Sequence, residues 1–196
     1  YRNDIFESYA YVSEDFGTTW TSISNGLTEA VNVIVEDSAN ENILYAGTDN
    51  GLFISLDKGT TWQDFSTGMP NVAVHDAVIQ TKAKELIVGT HGRSIYKMDI
   101  SKVQELTKDV LAKNLYLFKV NDRTKSDRWG SQNYAWGKPS EPSQEIWFYS
   151  NVDGIVNVSI TNEAGMLVRT QKVEAKKGLN SFEFDYSMPK NIADNW

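Results

Sequence analysis

Residues 42–62 read NILYAGTDNGLFISLDKGTTW. The last part, Ser55-Leu-Asp-Lys-Gly-Thr-Thr-Trp62, repeats the earlier stretch Ser13-Glu-Asp-Phe-Gly-Thr-Thr-Trp20 at an offset of 42 residues. Gly47-Thr-Asp-Asn-Gly51 recurs at the same offset, as Gly89-Thr-His-Gly-Arg93. Two independent motifs sharing one period define an internal repeat. A period in the low forties, filled with short strands, reads as propeller blades of about four strands each. In that frame the β-branched runs at 30–37 and 72–79 are the innermost strands. Segments 42–47 and 85–89 are the second strands; 9–13, 52–55 and 94–98 the third; 20–23 and 62–65 the outermost.

The Ser-x-Asp-x-Gly-x-Thr-Trp turn has a physical logic that needs no ligand. The carboxylates of Asp15 and Asp57 can accept backbone N–H groups of their own tight turn, and Ser13 and Ser55 open it. Gly17 and Gly59 supply a positive φ. Trp20 and Trp62 are then expected to bury a large ring against the neighbouring strand. These eight residues are read as structural.

This motif is the Asp-box. Together with LIVGTHGRSIYKMD at 86–99, it makes the chain resemble the BNR/Asp-box propellers, which include sialidases, xyloglucanases, photosystem assembly factors and sortilin-type receptors. The Gly-Thr-His-Gly-Arg ending, followed by a helix and a β-domain, most resembles bacterial sortilin-like proteins of the large secreted kind. The resemblance covers residues 9–100 well and the rest loosely. It implies a fold and leaves the activity open.

Read in order, the repeat supplies about two and a half blades, which cannot close a ring of four to eight. Residues 1–100 are therefore expected to be the C-terminal blades of a larger propeller whose upstream blades complete it, alone leaving sheet edges open. Next comes SKVQELTKDVLAKN at 101–114. Ser101 and Gln104 form a capping-box pattern, and Val103, Leu106, Val110 and Leu111 share a helical face, so this segment is expected to be a connecting helix. Strands return at 115–120, 145–150, 156–161, 166–173 and 180–186, separated by turn sequences. Residues 115–196 are expected to form a small antiparallel β-sandwich. The run from Val158 to Arg169, with the later Gly178-Leu-Asn180, resembles the Ig-like domains that follow bacterial BNR propellers. Segment 122–143 is polar and is expected to pack as an ordered loop through Trp129, Tyr134 and Trp136, with a linker as the alternative.

The chain of 196 residues carries 19 Lys and Arg against 26 Asp and Glu, two His and no Cys. The excess of acid lies entirely before residue 101, where the net charge is −8, against +1 after it. That field opposes phosphate backbones and argues against a nucleic-acid partner. Absence of Cys removes disulfides and thiolate metal sites, and no apolar run approaches a membrane span.

On the blade frame, His75 and Asp76 start an inner strand on the same rim as the turns Asp49-Asn50 and His91-Gly92-Arg93. Both imidazoles of the chain thus fall near one another, with an Arg and an Asp. This cluster is the one candidate ligand-binding constellation; the same groups could instead satisfy backbone carbonyls at a crowded turn. No metal or cofactor is expected, since no HxH or HExxH spacing is present. Glycoside hydrolysis needs two carboxylates, and nothing identifies a partner for Asp76. A sialidase Arg cluster cannot be built from Arg2 and Arg93 alone. The reading favoured is a non-catalytic secreted, periplasmic or cell-surface propeller of a bacterium, binding protein, peptide or glycan. The competing readings are an Asp-box glycoside hydrolase with its catalytic groups upstream, and an accessory subunit of an envelope complex.

Overall fold

The computed structural model describes residues 7–124, 126–132, 136 and 142–187. It divides into two compact units, one up to Thr107 and one from Lys108. The fold is all-β: partial propeller sheets, two short helices, then a small antiparallel sandwich.

The first unit holds three antiparallel sheets in sequence order. Strands β1 (Tyr11–Val12) and β2 (Thr21–Ser22) pair alone. Strands β3 (Val31–Glu36), β4 (Leu44–Thr48), β5 (Gly51–Ser55) and β6 (Gln63–Asp64) make a complete four-stranded blade. Strands β7 (Val74–Gln80), β8 (Glu85–Thr90) and β9 (Ile95–Asp99) make a three-stranded one. Strand order within each sheet follows the chain, as in a propeller blade.

The two Asp-box turns are near copies. Ser55 Oγ donates to Asp57 Oδ1 at 2.8 Å and accepts from Gly59 N–H at 2.7 Å. The Thr61 N–H and hydroxyl donate to the two Asp57 oxygens at 2.8 and 2.7 Å. Ser13, Asp15, Gly17 and Thr19 repeat all four bonds within 0.1 Å. Gly59 has φ +84°, and a Cβ there would stand 2.8 Å from Ile23 Cβ. Only glycine meets both demands.

Trp62 leaves this turn half-buried, and its Nε1 donates to the Ile23 carbonyl at 2.7 Å. It packs with Ala10, Ile23 and Leu44, so the ring bridges the four-stranded sheet to the one before it. Trp20 corrects the expectation that both indoles are buried. It is 63% exposed, and its Nε1 donates to Gly17 O in its own turn. No described sheet lies on the side of β1–β2 that would take it.

The hydrogen bonds set the charge state of the turns. Bonds from the Thr19 N–H and hydroxyl hold the Asp15 carboxyl below the usual carboxylate range. Burial alone would raise Asp57, but bonds from Thr61, Ser55 and Thr60 outweigh it and lower it too. A lowered folded pKa contributes stability that is present above the unfolded value of about 4 and lost as pH falls through the folded value. Urea melts are therefore expected to show stability falling below about pH 4, with a shallower acid slope in Asp57→Asn. An unchanged slope would remove Asp57 from the acid response.

The expected single helix at 101–114 is two turns, α1 (Ser101–Gln104) and α2 (Lys108–Leu111). Ser101 does not cap α1. Its N–H donates to Asp99 Oδ1 at 2.8 Å, and Ile100 takes the cap position. Gln104 does not return to the helix start either, because its Nε2 donates to both oxygens of Asp37 at 3.1 Å. Asn40 Nδ2 occupies the Leu106 carbonyl at 3.2 Å, competing with a continued helical ladder.

In the second unit, β10 (Leu115–Leu117), β11 (Gln144–Ser150) and β14 (Gly178–Phe184) form one sheet. Strands β12 (Gly154–Thr161) and β13 (Leu167–Ala175) form the other. Phe148, Phe182, Val173 and Ala175 are the core between them. The turn at 162–166 closes with Met166 N–H donating to Asn162 Oδ1 at 2.8 Å, and Gly165 takes φ +79°. In the 122–143 segment, Trp129 stacks beside Tyr186 with ring centroids 5.6 Å apart, and Trp136 is 88% exposed. Tyr134 lies outside the described residues.

Candidate functional site

The rim is built by two repeated irregularities. In β7 the ladder pairs Val74 with Thr90 and then Asp76 with Gly89, leaving His75 as the extra residue of a bulge. In β3 it pairs Val31 with Thr48 and then Val33 with Gly47, leaving Asn32 in the same position. A bulge re-aims the side chain it inserts. Both residues are exposed.

Each bulged residue meets the turn of its own sheet. Asn32 Nδ2 donates to Asp49 Oδ1 at 2.9 Å and to the Val74 carbonyl at 3.2 Å. The His75 and His91 rings lie 5.2 Å apart at 59°. Asn32 with Asp49 and His75 with His91 are thus one pair repeated in successive sheets. The turns themselves are held by the backbone: Asp49 N–H donates to Ala30 O at 3.1 Å and His91 N–H to Ala73 O at 2.9 Å. The hydroxyls of Thr48 and Thr90 donate across their turns to Gly51 O and Ser94 O. Those backbone demands are met without the imidazoles, which leaves both rings open to solvent.

Of the residues picked from sequence, His75 and His91 meet, and Asp49 joins them through Asn32 and the Val74 carbonyl. Asn50 and Arg93 are exposed at the turn tips, and Arg93 has no ion pair with a described residue. Asp76 lies beside the pair on β7, and its Oδ1 accepts the Ala77 N–H at 2.9 Å. Sequence reasoning missed Asn32, because the 42-residue period aligns it with Val74, and only the bulged ladders make it the counterpart of His75. Among the described residues no group of three His, Cys, Asp or Glu is placed to hold a metal ion. The rim offers amide, imidazole, carboxylate and guanidinium groups to solvent, a set suited to hydrogen-bonding a polar ligand.

Among the described residues no helix is long and apolar enough to cross a membrane. A comparison with curated proteins finds no match. A family model, Sortilin-Vps10, described as "Sortilin, neurotensin receptor 3", matches residues 8–181. That span takes in every described strand of the propeller sheets and most of the second unit, so the chain belongs to the Sortilin-Vps10 family.

Proposed function

We propose that this chain is part of a ligand-binding propeller that carries out no covalent chemistry. Its ligand is a protein, peptide or glycan met outside the cytoplasm, in a bacterial envelope or secreted setting. The observation that carries this reading is the repeated rim pair, Asn32 with half-buried Asp49 and His75 with His91, with Asn32 and both imidazoles exposed at one end of successive sheets. The Asp-box carboxylates, by contrast, are consumed by their own turns. Asp49, Asn50, His75, Asp76, His91 and Arg93 form the contact surface, with Asn32 added. The second unit is an Ig-like accessory module in this reading.

The ring is completed by further blades of the same protein. Val74 fills the space over Gly47, where a Cβ would stand 2.5 Å from its Cγ1. At the equivalent Gly89 the nearest atoms belong to Asp76, at 3.6 and 3.8 Å, so the seat for a following blade is open. Exposed Trp20 marks the matching seat on the other side.

The test is retention on immobilised xyloglucan, sialyllactose and a random-peptide library, alongside hydrolysis assays on the same glycans. His75→Ala with His91→Ala is expected to weaken retention at least about tenfold, the loss of two good polar contacts. Turnover abolished by Asp76→Ala would replace this reading with the glycoside hydrolase.

A further inference from the structure

His75 and His91 are the two histidines of the chain, and the fold brings their rings together. Spacing along the sequence carries no metal motif, because the pair is made across a ladder. His75 is the bulged residue of β7, and His91 opens the turn that follows β8. Both backbones are anchored. Val74 with Thr90 and Asp76 with Gly89 pair on either side of His75, and the His91 N–H donates to Ala73 O at 2.9 Å. Turning an imidazole about its Cβ–Cγ bond leaves the ring centre almost in place, and that torsion is broad and soft. The distance between ring centres is therefore set by the backbone and the first side-chain torsion, and it is 5.2 Å.

That distance is the one a tetrahedral metal requires. Zinc binds an imidazole nitrogen at about 2.0–2.1 Å, which puts the ring centre about 3.2 Å from the metal, and two rings at the tetrahedral angle then lie about 5.2 Å apart. A right angle, as in octahedral or square-planar sites, would bring them to about 4.5 Å. Either nitrogen of each ring can act as the ligand. The setting favours a cation, since residues 1–100 carry a net charge of −8 and Asp76 follows His75 on β7. The preceding sheet is an internal control. Its equivalent positions hold Asn32 and Asp49, which hydrogen-bond each other at 2.9 Å and present no imidazole.

We propose that His75 and His91 form a two-imidazole site for a divalent late transition metal, with zinc the best geometric fit. Among the described residues no group of three His, Cys, Asp or Glu forms around a metal position, so the ion keeps its other coordination positions for water or an incoming donor group. The metal site does not rest on the proposed protein, peptide or glycan ligand, because it is read with the ion alone.

The test titrates zinc chloride into the untagged 196-residue protein and follows the imidazole C–H signals by NMR. Two histidines give two sets of these signals, so both ligands are read directly. Both are expected to shift along one curve that saturates at one zinc per chain, with magnesium chloride giving no shift. In His75→Ala the His91 signals are expected to need at least about tenfold more zinc, and His91→Ala is expected to do the same to His75. Both positions are exposed, so the amide spectra of the zinc-free variants are expected to match the parent away from the rim. A shift of one histidine only or of neither, an equal response to magnesium, or an unchanged His91 curve in His75→Ala overturns the proposal. So does saturation at one zinc per two chains with a doubled mass in sedimentation, which would assign the metal to a contact between copies. No glycan or peptide enters this readout, so its failure and failure of the retention test are separable.

Discussion

Asp37→Ala is expected to lower the stability of the first unit by about 2–4 kcal/mol, with a fall in Tm of roughly 10–20 °C. Asp37 is 2% exposed and ends the inner strand of the complete blade. Its carboxylate accepts the Ala39 and Asn40 N–H groups at 2.8 and 3.1 Å, the Tyr45 hydroxyl at 3.2 Å, and Gln104 Nε2. Burial, the nearby Asp37 charge and this hydrogen bond push the Tyr45 hydroxyl well above the usual phenol range, so it stays a donor. Truncation leaves the buried Tyr45 and Gln104 donors without an acceptor, at about 1–3 kcal/mol for each that water cannot reach. It also releases α1, because Gln104 has lost the group that holds it. Thermal melts of Asp37→Ala and Asp37→Asn measure this; Asn keeps one acceptor oxygen and is expected to fall between Ala and the parent. Equal stability of all three proteins would mean the network contributes nothing.

Gly47→Ala is expected to cost about 1–3 kcal/mol, while Gly89→Ala, the same change one blade on, is expected to cost within about 0.5 kcal/mol. The Cβ added at Gly47 would lie 2.5 Å from Val74 Cγ1 and 2.7 Å from Val33 Cγ1. These valines come from the inner strands of two successive sheets, so the clash reports on how closely those sheets approach. Both β-branched side chains have few rotamers to escape into. Urea unfolding of the two variants gives the comparison, and equal costs would mean that sheet-to-sheet contact does not distinguish the two sites.

Most of the fold was legible because a repeat carries its own internal check. Each strand expected between residues 9 and 98 could be tested against its copy, and each is found within a few residues. Legibility failed where a long-range partner overrode a local pattern. Ser101 and Gln104 have the spacing of a capping box, but a buried carboxylate 67 residues earlier took the Gln side chain. The helical periodicity of 101–114 was real, since Val103, Leu106 and Val110 are buried. Asn40 interrupted its ladder from another part of the fold. Trp20 and Trp62 have the same motif and differ in burial, because burial of each indole depends on the preceding sheet. At the rim, sequence placed His75 and His91 at one end of one sheet. It gave no sign of the two bulges that turn Asn32 and His75 outward, since a bulge is visible only when both strands of a pair are in register.

The central claim is that the two Asp-box turns belong to successive sheets, joined by a tryptophan from one reaching into the other. Nuclear Overhauser contacts of the Trp62 indole N–H on the 196-residue protein test it directly. The account predicts contacts from that proton to Ile23, and from the Val74 methyls to Gly47 Hα. Strand-type contacts between the Trp20 and Trp62 hairpins, placing both in one sheet, would contradict it.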